Sequence, residues 1–510
     1  MTPTSSVSID WLVLAPVLAP ALGAVLVLLA DAVLPDRADD VNGARQAAQA
    51  RLHGIVGVVA LAAGIALALP GALHAATAPL RTLCLPAPAG ACLYEAGPLA
   101  SAFQAGAMAS ALVVLLLMWP SGAGRQDLRG GPAVLVSLVL AATAGAAGVA
   151  AAHDLGSWLV CLELATLPAI ALVTLRGTRA SGRGALALLT TSVVSFAMVA
   201  LGAALWLTAT GQAVFAAGSA DTALADPHRR AVLLLGVLFL VAGLAFKLSL
   251  APFHAWTPQA YAGASYPVAA FLAGTSKVAA LAALLVVMRP LADARGPVLV
   301  AVGVLAAVSM TVGNVIALVQ DDPVRLLAWS TVAQAGWVVL PLSAMTAASA
   351  PASGGYLLAY LVATLVAFTV VHVVASAPVT AEAPAQRRTL AAYTGLLRTH
   401  PVLGGALGLA LLSLAGLPPG VIGLLAKVLA LRPVVGQGQW LLALVAVANA
   451  VLGIAVYLRW FSVLLRDPQE APATSWVGPL PRPALAALVL SGAALVATSL
   501  MPQLLLGLLG

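Results

Sequence analysis

The chain has 510 residues, of which 62% are hydrophobic and only 8% charged, with a mean hydropathy of +1.05 and a formal net charge of +7. A soluble domain carries about 25% charged residues, so the composition excludes a water-soluble globule. Apolar runs of roughly 20 residues point to spanning helices and not to a membrane barrel. The basic balance resides in arginines between those runs, which reads as topological anchoring and not as a nucleic-acid surface.

The fold class expected is an all-α polytopic membrane protein with about 14 transmembrane helices. In chain order the predicted spans are 9–34, 53–72, 98–119, 131–152, 154–175, 185–209, 231–251, 266–288, 297–319, 325–345, 355–376, 401–431, 439–464 and 484–507. The first run lacks a basic flank and is read as a retained helix and not a cleaved signal. Cys84 and Cys92 flank "LPAPAGA" in the second loop, where a disulfide could persist if that loop faces an oxidising compartment. Cys161 lies within the fifth span and reads as a small core residue. Breaks are expected at Pro168 in the fifth span, at Pro252 after the seventh and at "GLPPG" (416–420) in the twelfth. Fifteen arginines, including Arg37, Arg125, Arg129, Arg387 and Arg459, fall in loops after odd-numbered spans, and six, including Arg295, in loops after even-numbered ones. The positive-inside rule then puts odd-numbered loops in the cytoplasm and both termini outside.

The ionisable residues inside the spans carry the functional signal. Lys247, Lys277 and Lys427 are the only lysines, and all three fall within predicted spans, whereas every loop cation is arginine. Arginine stays protonated at any working pH, while a buried lysine can gain and lose its proton. A charge at the bilayer centre costs about 2.5–3.5 kcal/mol on insertion scales, so three such residues point to function. Snorkelling to the interface is the competing explanation, and it suits Lys427 best. Glu163 is the one clear mid-span acid, and Lys247 is its natural partner. His254 sits in the break after the seventh span, and His372 sits inside the eleventh. Either imidazole suits a proton relay, and a structural hydrogen bond is nearly as good an account. His53, His74, His153, His228 and His400 lie at span ends. No phosphate loop, metal-ligand spacing or Cys-x-x-Cys is present.

The segment "FKLSLAPFHAWTPQAYAGASYPVAAFLAGTSKVAA" (246–280) closely resembles the signature of subunit N of bacterial respiratory complex I, the NADH:quinone oxidoreductase, in the antiporter-like (Mrp-type) family. "DLGSWLVCLELATLPAIAL" (154–172), "GNVIALVQDDPVRLLAWSTVAQAGW" (313–337) and "LLSLAGLPPGVIGLLAKV" (411–428) extend the resemblance over helices 4 to 13. It implies helices 1–3 within 1–130, two inverted repeats at 131–288 (helices 4–8) and 297–464 (helices 9–13), a last helix at 484–510, and broken helices 7 and 12. It also implies a proton relay through Glu163, Lys247, Lys277 and Lys427. Partners would be the other membrane subunits of such a complex in the bacterial cytoplasmic membrane. No cofactor is expected in this chain, since quinone, NADH, flavin and iron–sulfur clusters would belong to the partners. The sequence departs from the family pattern in three places: Ala187 stands where helix 6 usually has lysine, Gln259 follows "WTP" where aspartate is usual, and Gln334 replaces a helix-10 histidine. Lys427 also sits one residue further from "LAGLPP" than the pattern has it, a helical phase change of about 100°. The alternative functions are a subunit of an Mrp-type cation/proton antiporter and a non-pumping scaffold in a membrane oxidoreductase.

Overall fold

A computed structural model describes residues 7–34, 44–74, 78–86, 91–119, 130–216, 218–291, 296–376, 388–467 and 480–507. Of the arginines behind the expected orientation, Arg37, Arg125, Arg129, Arg295 and Arg387 lie outside these residues. Arg459 is not in a loop. It sits within the penultimate long helix, where its guanidinium donates to the Gln320 carbonyl and approaches Asp321 at 3.4 Å.

The helices are α1 (Trp11–Val33), α2 (Ala44–Leu73), α3 (Pro98–Leu117), α4 (Gly131–Val149), α5 (Leu155–Thr174), α6 (Arg179–Thr210), the short α7 (Asp221–Ala225), α8 (Pro227–Leu248), α9 (Trp256–Gly263), α10 (Tyr266–Ala273), α11 (Thr275–Met288), α12 (Pro297–Ala317), α13 (Pro323–Val339), α14 (Ser349–Ser376), α15 (Leu396–Thr399), α16 (Pro401–Ala415), α17 (Val421–Gly436), α18 (Trp440–Leu465), α19 (Arg482–Leu500) and α20 (Gln503–Leu506). Among the described residues, thirteen spans are long and apolar enough to cross a bilayer. A fourteenth is added if the segments Leu390–Thr399 and Pro401–Ala415, bent by 119°, count as one. The expected breaks in helices 7 and 12 are the gaps α8/α9 and α16/α17. The break expected at Pro168 does not occur, and α5 runs unbroken from Leu155 to Thr174 with Pro168 inside it. The expected eighth span carries an interruption that its sequence did not announce, at Gly274 between α10 and α11.

Leu12, Leu22, Val193, Val300, Leu441 and Leu444 are exposed on the outer helices α1, α6, α12 and α18. In water such a surface would be an aggregation liability, but facing acyl chains it is the expected covering. The interior is close-packed through small residues. Asp154 caps α5 by accepting from Gly156 and Ser157 N–H, and Asp322 caps α13 in the same way through Val324 and Arg325. Each capped helix lies against a glycine of the preceding helix. A Cβ on Gly145 would stand 2.3 Å from Ala165 N, and one on Gly313 would stand 2.4 Å from Ala333 N. Backbone-to-backbone approach of this kind is how helices associate where lipid removes the hydrophobic drive.

One end of the bundle carries a feature that the all-α expectation lacked. Strands β1 (Leu80–Cys84) and β2 (Cys92–Ala96) form an antiparallel hairpin, with Cys84 opposite Cys92 and bonded to it as the loop spacing allowed. Glu95 N–H donates to Ala151 and His153 N–H to Leu93, which ties the hairpin to the α4–α5 connection. Beneath it Glu95 faces Arg81 at 3.1 Å, Arg289 at 3.6 Å and His153 at 3.7 Å. The Arg289 guanidinium donates to His153 Nε2 (2.7 Å), and His153 Nδ1 lies 3.0 Å from the Ala151 carbonyl. Burial holds the imidazole below its usual range, against the raising effects of the Ala151 bond and Glu95, and Arg289 and Arg81 also lower it.

Two outcomes are expected. Gly145→Ala or Gly313→Ala forces paired backbones apart and destabilises the detergent-solubilised protein by at least about 1–3 kcal/mol in thermal melts. Gly182→Ala, with open space around its Cβ, leaves the midpoint unchanged or slightly raised. Because the folded protein prefers neutral His153, hairpin stability is full above about pH 6.5, the ordinary histidine value, and is lost as pH falls below it. Hydrogen exchange at residues 92–96 should accelerate on that acid side, and His153→Gln should abolish the pH dependence.

Candidate functional site

The site is assembled at the ends of the interrupted helices. In α8 the i+4 donor for the Leu248 carbonyl would be Pro252, which has no N–H, so the helix stops at Leu248. Ser249 takes a left-handed conformation with φ 66°. The Lys247 carbonyl would take Ala251 N–H in a continuing helix, but Ala251 N–H donates instead to Ser309 Oγ on α12 at 2.7 Å. A backbone carbonyl deep in an apolar bundle is left in need of a donor. Lys277 supplies it, with Nζ 2.9 Å from Lys247 O and 2.5 Å from Ser249 Oγ, and 4.6 Å from the centre of the Trp256 ring. Ser249 Oγ continues to Thr257 Oγ1 at 2.5 Å. Lys277 is 2% exposed and starts the first turn of α11, directly after the Gly274 interruption.

The twelfth span repeats this logic. The i+4 donors for the Leu414 and Ala415 carbonyls would be Pro418 and Pro419, so two consecutive carbonyls at the end of α16 have no helical partner. Lys427 Nζ satisfies both, at 3.2 Å and 2.5 Å, and lies 5.7 Å from the Trp337 ring centre. Lys427 is 7% exposed, in the middle of α17, and does not snorkel.

Lys247 itself points the other way. Its Nζ donates to Glu163 Oε1 at 2.9 Å and to Thr166 Oγ1 at 2.8 Å, both on α5. The sequence-based pairing of Glu163 with Lys247 is thus what the structure places together. Glu163 and Thr166 stand one turn apart, immediately before Pro168. Among the described residues, neither Lys277 nor Lys427 has a carboxylate within ion-pair distance. A cavity of about 40 Å³ adjoins Lys247, lined among others by Thr166, Thr191, Ser192, Ser195 and Ser276. That is room for roughly two or three water molecules. Thr191 and Ser192 lie one turn along α6 from Ala187, so hydroxyls occupy the neighbourhood of the absent helix-6 lysine.

The histidines are not drawn into this line. His254 is half-buried in the break, with its ring 5.0 Å from that of Trp329 on α13. His372 is buried on α14, where Tyr266 approaches at 6.4 Å between ring centres. Among the described residues, neither bonds to any of the three lysines. Gln259 is exposed. Gln334 is 4% exposed and bonded to Tyr356, Tyr457 and the Leu414 carbonyl. Sequence reading passed over Ser249, Thr166, the two tryptophans and the tyrosines. Their one legible signal was tyrosine placed in mid-span, away from the interfacial belts where it is usual. Among the described residues, no group of three or more His, Cys, Asp or Glu could hold a metal ion.

Buried lysines turned onto the carbonyls of two proline-broken helices define an interrupted-helix membrane bundle, an architecture common among transport folds. The family profile described as "NADH:quinone oxidoreductase/Mrp antiporter, TM" matches residues 152–453, and the chain belongs to that family. Among its relatives, NADH-quinone oxidoreductase subunit N 2 of Streptomyces griseus is 38% identical over 93% of this chain and 86% of its own length. NADH-quinone oxidoreductase subunit 14 of Thermus thermophilus is 36% identical over 78% of this chain and 83% of its own. Among solved structures, a chain of respiratory complex I from Thermus thermophilus superposes with a TM-score of 0.77 at 31% identity, covering 96% of this chain and 98% of that one. A chain of the Mrp complex from Dietzia sp. DQ12-45-1b shares the fold, with a TM-score of 0.79 at 21% identity over 98% of this chain and 96% of that one.

If Ser309 is what satisfies the freed Ala251 N–H, Ser309→Ala leaves that buried donor without a partner and costs about 1–3 kcal/mol. Thermal unfolding in detergent measures this, and an unchanged midpoint would refute the assignment.

Proposed function

We propose that this chain is the subunit N of a complex I-like NADH:quinone oxidoreductase in a bacterial cytoplasmic membrane, and that it moves protons along Glu163, Lys247, Lys277 and Lys427. The observation that carries the reading is the contact of Lys277 Nζ with the Lys247 carbonyl and Ser249, one residue pair away from the 2.9 Å Glu163–Lys247 ion pair. Glu163 and Thr166 hold the Lys247 ammonium at the α5 side. When movement in neighbouring subunits separates Glu163 from it, an ammonium without a counter-ion in a low-dielectric bundle sheds its proton more readily. Water in the adjoining cavity then carries that proton to the Lys277 amine, and a further transfer takes it to Lys427 and the outer face. Each step breaks one N–H bond and forms another, so nothing is oxidised in this chain. The redox cofactors, flavin, iron–sulfur clusters and quinone, belong to the partners on this reading.

The division into repeats at 131–288 and 297–464 is part of the same proposal. It is supported by the paired Asp caps of α5 and α13, the glycines Gly145 and Gly313, and the breaks of α8/α9 and α16/α17. Both termini then lie outside, with the disulfide hairpin on the outer face.

Lys277→Ala in the assembled complex, reconstituted in vesicles, should lower the protons moved per electron pair. Lys277→Arg should lower them equally, because a guanidinium keeps its proton. Native stoichiometry in both would sink the relay and favour a scaffold. Sodium-dependent pH gradients would favour the antiporter alternative.

A further inference from the structure

Resting on the relay just proposed, we infer that protons pass from Lys277 to Lys427 over a buried tyrosine cluster, and that Gln334 is the positioning residue that holds this cluster against the Lys427 break. The two lysines lie in different breaks and do not touch. From Lys277 the bonded path runs to Ser249 and Thr257. One turn further along α9, Tyr261 packs beside Thr331 and Tyr360. Thr331 Oγ1 is 2.9 Å from Tyr360 OH. Tyr356, one turn before Tyr360 on α14, neighbours both Tyr360 and Tyr457. Four of the seven tyrosines of the chain thus gather between the two lysines.

Gln334 sits at the far end of this cluster. Its Oε1 accepts from Tyr356 OH at 2.6 Å, and its Nε2 donates to Tyr457 OH at 2.9 Å and to Leu414 O at 3.4 Å. Leu414 O is also the acceptor of Lys427 Nζ. One amide therefore joins two phenols to the carbonyl that orients the terminal lysine. Bonded phenols alone would require no function, since buried hydroxyls need partners in any core. The sharing of Leu414 O with Lys427 is what packing does not require. The carboxamide is not itself a carrier, because it neither gains nor loses a proton near neutral pH. Tyr457 OH, accepting from Nε2, keeps its own hydrogen free for Ser330 Oγ, which lies 2.6 Å away and can accept it or donate in turn. Gln334 thereby sets which way the phenols point.

In the transfer each hydroxyl takes a proton on its lone pair and gives up its own, with water bridging the steps between Thr257 and Tyr261, between Tyr261 and Thr331, between Tyr360 and Tyr356, between Tyr356 and Tyr457, and from Tyr457 to the Lys427 amine. The net change is one N–H broken at Lys277 and one formed at Lys427. The hydroxyls then turn back before the next proton.

The experiment uses the assembled complex in vesicles, with protons moved per electron pair as the readout and Lys277→Ala as the benchmark. Tyr457→Phe, which removes a single oxygen, and Gln334→Leu should each reduce pumping as far as Lys277→Ala does, with electron transfer retained. Tyr393→Phe, a buried tyrosine packed on Trp460 outside the cluster, should pump normally. Gln334→His should pump, and its pumping should acquire a pH step that the native complex lacks, because an imidazole titrates where a carboxamide does not. A role in packing alone would not produce that step. If Lys277→Ala stops pumping while Tyr457→Phe and Gln334→Leu pump at the native level, this inference is overturned and the relay survives. If Lys277→Ala itself pumps normally, the relay reading is what has failed. Should Gln334→Leu fail to assemble, Tyr457→Phe decides.

Discussion

A carbonyl oxygen inside a bilayer must find a donor from the protein, because lipid offers none. Prolines 252, 418 and 419 remove donors from two spans, and the rest of the site follows from how that deficit is met. Ser309 caps Ala251 N–H, which leaves Lys247 O open, and Lys277 fills it. Pro418 and Pro419 leave Leu414 O and Ala415 O open, and Lys427 fills both. A lysine satisfies such carbonyls with three rotatable donors on a flexible stem, and it does so whether the remaining pathway is wet or dry. The same prolines that interrupt the helices thus determine where the titratable groups must reach.

The three lysines are not equivalent. Lys247 has a carboxylate partner and a hydroxyl from the same turn of α5. Lys277 and Lys427 meet carbonyls, a hydroxyl and aromatic faces, which favour a cation but carry no full negative charge. A single ion pair at one end of a line of uncompensated amines is an asymmetric arrangement. On the proposed reading that asymmetry lets a small displacement of Glu163 act on the whole series, because in a low-dielectric interior the loss of one counter-ion is felt far more than it would be in water.

How much was legible depended on whether a residue's role was set by its own neighbours in sequence. The breaks at 252 and 416–420 were legible because proline acts on its own backbone. The Glu163–Lys247 pairing was legible because each is a lone charge of its sign in an apolar stretch, and such charges seek one another. The Gly274 interruption was not, since its flanks read as one uninterrupted apolar run. The hairpin at 80–96 was hidden in what looked like a loop between spans, and its strands depend on backbone bonds to residues 8 and 151–153. His254 and His372 were drawn into the relay by chemistry alone. The structure places them beside Trp329 and Tyr266, with no bond to the three lysines among the described residues. Arg459 was counted among the loop arginines although it falls inside the predicted span 439–464, and the structure places it within α18.

The sequence by itself determined that this is a membrane bundle, that the spans before Pro252 and around 416–420 break, and that its intramembrane cations are lysines. These properties follow from hydropathy, proline chemistry and residue choice, all of which act locally. Only the tertiary structure decided which carbonyls Lys277 and Lys427 meet, and that Gln334 joins Tyr356 and Tyr457 to the Lys427 break. Those contacts join residues 12 to 123 positions apart. The direction of a side chain across a helix interface is set by the packing of neighbouring backbones, which no local pattern encodes.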